Sequence, residues 1–102
     1  MQKNKCDINK FIQECHLIAK AKGWWDEERN DGELIALMHS ELSEALEAMR
    51  NHTTLARVAE ELADCCIRIF DYCGARSIDL EGALLKKMEY NRTRAYRHGK
   101  KF

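Results

Sequence analysis

The sequence predicts an all-α fold, a four-helix bundle in one domain spanning 1–102. Three observations predict it. The chain has no proline and only five glycines, its long stretches keep a helical period, and no run alternates apolar and polar residues as a strand would. A chain of 102 residues builds a modest core, so burial shared with a partner subunit is expected.

The first helix is expected from about Asn4 to Lys22, with Ile8, Phe11, Ile12, Cys15, Ile18 and Ala19 on one face. Gly23 ends it, and Trp24-Trp25-Asp26-Glu27-Glu28-Arg29 forms a connecting loop. Asn30 followed by Glu33 has the spacing of a capping box, which starts the second helix and carries it to about Arg50. Asn51-His52-Thr53-Thr54 supplies a turn and a threonine cap. The third helix runs from about Leu55 to Cys73, where Gly74 suits the left-handed position that closes a helix. Ser77 or Asp79 caps the fourth, which continues to about Arg94 or beyond and leaves a basic tail over about 95–102. Short connections join all four into a bundle.

Lys plus Arg and Asp plus Glu both number 17, so no global charge draws the chain to a nucleic-acid polymer or a membrane surface. Charge is local instead. Arg92, Arg94, Arg97, Lys100 and Lys101 crowd the C-terminus, while carboxylates gather mid-chain. The five cysteines are odd in number and form no C-x-x-C pair, which argues against a disulfide framework or a thiolate zinc site. Reduced thiols, an N-terminus without an apolar signal core and no apolar run near the roughly 20 residues of a membrane span point to the cytoplasm.

Several residues break the helical pattern. Leu34, Met38, Leu42, Ala45, Ala48 and Met49 make one apolar arc of the second helix; Glu41 falls inside it and Glu44 at its edge. A carboxylate there is costly without a partner, and a metal ion or a buried arginine or lysine would serve. Side chains at i and i+3 can converge on one ion. Glu61 and Asp64 repeat that spacing on the third helix. There the apolar arc is Leu55, Val58, Ala59, Leu62, Cys66, Ile69 and Cys73, with Asp64 nearly opposite. This pair therefore resembles a solvated face unless another helix, such as one from a second subunit, meets it. On the fourth helix Asn91 interrupts the arc of Leu80, Leu84, Met88 and Ala95, with Lys87 at its margin and Arg94 one turn on.

An all-oxygen donor set favours Mg²⁺, with Mn²⁺ as a substitute, and four carboxylates leave room for two ions acting on a phosphoryl group. Basic residues nearby would hold its oxygens. Trp24 and Trp25 could stack on a base, although tryptophans at a helix end more often plug a core. A di-iron bundle would add Glu-x-x-His, and none of His16, His39, His52 and His98 has a glutamate three residues before it.

Glu41-Leu-Ser-Glu44, Glu61-Leu-Ala-Asp64 and Lys87-Met-Glu-Tyr-Asn91-Arg-Thr-Arg94, in that order, resemble the MazG-like all-α nucleoside triphosphate pyrophosphohydrolase superfamily. The resemblance runs from near Trp24 to the C-terminus and is closest to small stand-alone members. It implies Mg²⁺-dependent hydrolysis of a (d)NTP to (d)NMP and pyrophosphate, for instance in clearing the nucleotide pool. It also implies that Glu41, Glu44, Glu61 and Asp64 are the catalytic metal ligands. Lys87, Asn91 and Arg94 would then hold phosphates or sugar, Trp24 or Trp25 would line the base pocket, and a homodimer or homotetramer would complete the bundle. The sequence departs from the family pattern in four places. Ser40 stands at the first position of an E-E-x-x-E motif, Glu60 doubles the acid before Glu61, Arg68 replaces an aromatic of some relatives, and Ala95 replaces a proline. Two alternatives are a phosphoribosyl-ATP pyrophosphohydrolase-like enzyme and a non-catalytic helical dimer that regulates or binds a partner.

Overall fold

A computed structural model describes residues 7–101. Within them lie four α-helices and no strand: α1 (Ile8–Ala21), α2 (Asp31–Arg50), α3 (Leu55–Arg76) and α4 (Leu80–Thr93), followed by a 3-10 turn over Tyr96–Gly99. The expected start of the first helix at Asn4, and Cys6, lie outside the described residues. None of the helices is long and apolar enough to cross a membrane.

Local chemistry sets most boundaries. Asn30 accepts a hydrogen bond from the Glu33 N–H at 2.8 Å, Thr54 from Arg57 N–H at 3.2 Å and Asp79 from Gly82 N–H at 3.0 Å, so three helices have side-chain N-caps. The first turn of α1 is satisfied from outside: Glu81 of α4 accepts from Asn9 N–H at 3.0 Å. At the C-termini, Trp24 N–H donates to Ala19 O and Gly23 N–H to Lys20 O, the paired bonds of a Schellman motif, with Gly23 at φ 91°. Helix α2 ends the same way on the left-handed His52 (φ 55°), and α3 ends on the left-handed Ser77 (φ 57°), with both Ser77 N–H and Ile78 N–H donating to Cys73 O.

The expected stop at Gly74 is therefore wrong. Gly74 is helical, and α3 continues to Arg76. Its role is close approach: a Cβ on Gly74 would lie 2.7 Å from His16 Cβ and 3.3 Å from Ile12 O. Glycine is there to admit α1.

Helix α3 is the middle of the molecule. It pairs with α2 through a short turn and with α1 on another face, while α4 packs on α1. Arg76 near the end of α3 donates to Asp31 Oδ1 and to Arg29 O, both at 2.8 Å, tying it to the start of the antiparallel α2. Phe11 and Phe70 stack across α1 and α3 at 6.4 Å. Ile12, Leu34, Ala45, Cys65 and Cys73 are the buried apolar residues.

The α2–α3 seam does not follow the most apolar arc of α3. Glu61 and Cys65 are buried in it, while Leu55 is 86 % exposed and Leu62 46 %. On α2, Leu42, Leu46 and Met49 are likewise exposed. At about 100° per residue these side chains fall on one side of the seam, and Glu44 and Asp64 fall on the other. One face of the hairpin is thus apolar and open, the other acidic.

Candidate metal centre and adjoining cleft

Glu41 of α2 meets Glu61 and Asp64 of α3 at the seam. One oxygen from each lies within 4.8 Å of the others. Glu41 and Glu61 are the buried charged residues among those described, and Asp64 is exposed at the rim. The helix that covers Glu61 is α2 of the same chain, not one from a second subunit. Small residues at the contact, Ala45 and Cys65, let the two backbones approach closely enough to bury it.

Each buried carboxylate has an arginine. Arg68 Nε donates to Glu41 Oε2 at 2.6 Å, and Arg57 Nη2 lies 3.2 Å from Glu61 Oε2. Glu61 Oε1 has no hydrogen-bond partner although it is buried. Burial pushes the Glu61 carboxyl above the ordinary glutamate range. Arg57 pulls it down, while the charges of Glu44 and Asp64 push it up.

A divalent cation fits this donor set. Oxygen ligands of Mg²⁺ at about 2.1 Å lie at most ~4.2 Å apart, so small side-chain adjustments bring the three oxygens onto one ion. The orphaned Glu61 oxygen would gain a partner, and no cysteine or histidine joins the group to favour a softer metal. Glu44 stands apart from these three. It is exposed and lines an adjoining cavity of about 320 Å³ with Glu47, Asn51, Arg57 and Glu61.

On the other side of Glu41 a cleft of about 190 Å³ is lined by Trp24, Arg29, Asp64, Ile67, Arg68 and Asp71. The two tryptophans separate here. Trp25 is clamped: its indole N–H donates to Asp71 at 2.9 and 3.1 Å, its ring meets His16 edge-on, and Arg29 and Arg76 lie over it. His16 Nδ1, 2.8 Å from Asp71 Oδ1, completes that network. Trp24 is 59 % exposed and opens onto the cleft, with Arg29 at 5.9 Å from its ring.

Lys87 and Asn91 are on the exposed part of α4 and Arg94 follows its end. Lys87 and Arg94 lie over Tyr90, and none of the three lines the cleft. Within one chain they are not brought to the carboxylates. Conversely, the fold brings Arg29, Arg68 and Asp71 to the cleft, none of which the sequence marks as a site residue. The one sequence signal for Arg68 is its place one turn beyond Asp64, which sets it near the same face of α3. The free thiols have no part in the site; burial raises Cys15, Cys65 and Cys73 above the usual thiol range. Comparison with family models, with curated proteins and with solved structures finds no match to this chain.

Proposed function

We propose that this chain is a Mg²⁺-dependent nucleoside triphosphate pyrophosphohydrolase that converts a (d)NTP to the monophosphate and pyrophosphate. The observation that carries this reading is the Glu41, Glu61 and Asp64 oxygen group, with a buried Glu61 oxygen left without a donor. Glu41, Glu61 and Asp64 would hold the cation, with Glu44 at the margin for a second ion or for orienting water. Mg²⁺ bound there would neutralise charge developing on the phosphoryl oxygens. Trp24 offers an open ring to a base, and its neighbour Trp25 fixes the loop that carries it.

The cleft is smaller than the roughly 300 Å³ at which ligand pockets begin. A second copy is the natural complement. It would cover the apolar face of Leu42, Met49, Leu55 and Leu62; the carboxylates open on the opposite face, so bringing Lys87, Asn91 and Arg94 of α4 to them takes a further contact between copies, as in a tetramer. A homodimer, or a tetramer built from it, is therefore part of the proposal.

A second reading has one observation in its favour. Arg68 already neutralises Glu41, so Glu41 needs no metal to be buried, as in a non-catalytic helical dimer. Pyrophosphate release from a panel of ribo- and deoxynucleoside triphosphates separates the two. Wild type should release it only with Mg²⁺, and Glu41→Gln should lose at least about 100-fold in kcat/KM while keeping its helical circular dichroism. Equal turnover by Glu41→Gln would remove the assigned site, and no turnover on any nucleotide would favour the non-catalytic dimer.

A further inference from the structure

We propose that Arg68 is an exchangeable member of this site: it neutralises Glu41 while no cation is bound, and turns to a phosphate oxygen of the nucleotide once one is. The inference rests on the hydrolase reading above and assigns a phosphate ligand on α3 in addition to those expected on α4.

Arg68 touches Glu41 through one atom. Its Nε donates to Oε2 at 2.6 Å, and neither terminal amino group has a hydrogen-bond partner among the described residues. Two ends of the guanidinium fork are thus unused. The side chain is one-third exposed and lines the cleft beside Trp24 and Asp64, so the unused ends belong to the surface a nucleotide would meet. A guanidinium fork matches two phosphate oxygens, a geometry a lysine cannot supply.

Charge supplies the exchange. Glu41, Glu61 and Asp64 place three negative groups within reach of one another, opposed by Arg68 and Arg57. With a divalent cation held among the three oxygens, Glu41 no longer depends on Arg68, and two positive groups on one carboxylate repel. Arg68 has a long stem and an open side to move to. A triphosphate, itself anionic, then gives the released guanidinium its next partner.

The other cations near the cleft are committed elsewhere. Arg29 is stacked between Trp24 and Trp25 and lies 4.0 Å from Glu33. Arg57 is paired with Glu60 and Glu61.

The test pairs a calorimetric Mg²⁺ titration of the nucleotide-free protein with nucleotide KM at saturating Mg²⁺. Removing a competitor and removing a substrate ligand move these two quantities in opposite directions. Arg68→Gln should bind Mg²⁺ about fivefold or more tightly than wild type, yet show a KM raised by about tenfold or more. Arg68→Lys keeps a cation for Glu41 but loses the fork, so its Mg²⁺ affinity should stay within about twofold of wild type while KM still rises. Unchanged or weaker Mg²⁺ binding by Arg68→Gln, or an unchanged KM in either variant, overturns the exchange while leaving the hydrolase intact. Should Arg68→Gln fail to fold even with Mg²⁺, Arg68→Lys alone decides through its KM. A wild type that neither binds Mg²⁺ nor hydrolyses any nucleotide removes both proposals together.

Discussion

Glu61 sits where water does not reach one of its oxygens, and its proton follows from that. The folded chain holds this proton to a higher pH than the unfolded chain does. Without metal, the contribution of Glu61 to stability is therefore fully present below the ordinary glutamate pKa and is lost as pH rises through the raised folded value. Mg²⁺ reverses the sign, because only the ionised carboxylate is a ligand. Melting curves with and without Mg²⁺ should thus lie apart near neutral pH and converge as pH falls and Glu61 takes up its proton. Metal stabilisation that persists unchanged below the ordinary glutamate range would contradict the site. Glu61→Gln should raise the melting temperature of the metal-free protein and weaken Mg²⁺ binding by about tenfold or more, as calorimetry would show. Glu41 was legible in the sequence because it interrupts an apolar stripe. Glu61 was not, because Leu55, Leu62 and Cys66 place the apparent apolar arc of α3 about a quarter-turn away from the seam the chain uses. Arg68 was legible only as a departure from a family pattern, since a lone arginine on a helix says nothing about which carboxylate it meets.

At the scale of single helices, three of the starts and the ends of α1 and α2 were readable, and the end of α3 was not. Asn30, Thr54 and Asp79 announce their helices by side-chain chemistry that any sequence shows. Gly23 announces the end of α1 for the same reason. The polar run Asn51-His52-Thr53-Thr54 announces the end of α2, but Ser77 takes the left-handed position after α3 that glycine would take more easily, so nothing in its residue type marks it. Gly74, the obvious stop, is spent on helix approach instead. Two outcomes follow. Ser77→Gly should stabilise the protein by about 0.5–1 kcal/mol, a rise of several degrees in melting temperature for a domain of this size. Gly74→Ala should destabilise it by about 1–3 kcal/mol, since the methyl meets His16 Cβ and the Ile12 carbonyl rather than the end of a flexible side chain. Thermal denaturation of both variants checks the pair, and a neutral Gly74→Ala would show that α1 does not pack this closely.

For the whole molecule, the central fact is that α3 packs on α2 and on α1 while its Leu55 and Leu62 stay exposed. The helix count and the bundle class were visible from periodicity; which faces pair was not, because pairing is decided by small residues that let backbones approach, and hydropathy does not rank those. Leu42, Leu46, Met49, Leu55 and Leu62 form one contiguous exposed apolar stripe, the kind of patch that marks an interaction site. Light scattering on the eluting protein should report a dimer or tetramer. Leu62→Glu, at a position half exposed in the single chain, should give a folded monomer with little residual activity. A wild-type monomer at tens of micromolar would contradict the two-copy arrangement.

The central claim, a carboxylate-held cation acting on a nucleoside triphosphate, is tested most directly by phosphorus NMR of a (d)NTP incubated with the protein and Mg²⁺. Nucleoside monophosphate and pyrophosphate should appear in equal amounts and stop accumulating when the metal is chelated. Diphosphate with orthophosphate, product formation indifferent to chelation, or an untouched triphosphate across the nucleotide panel would contradict it.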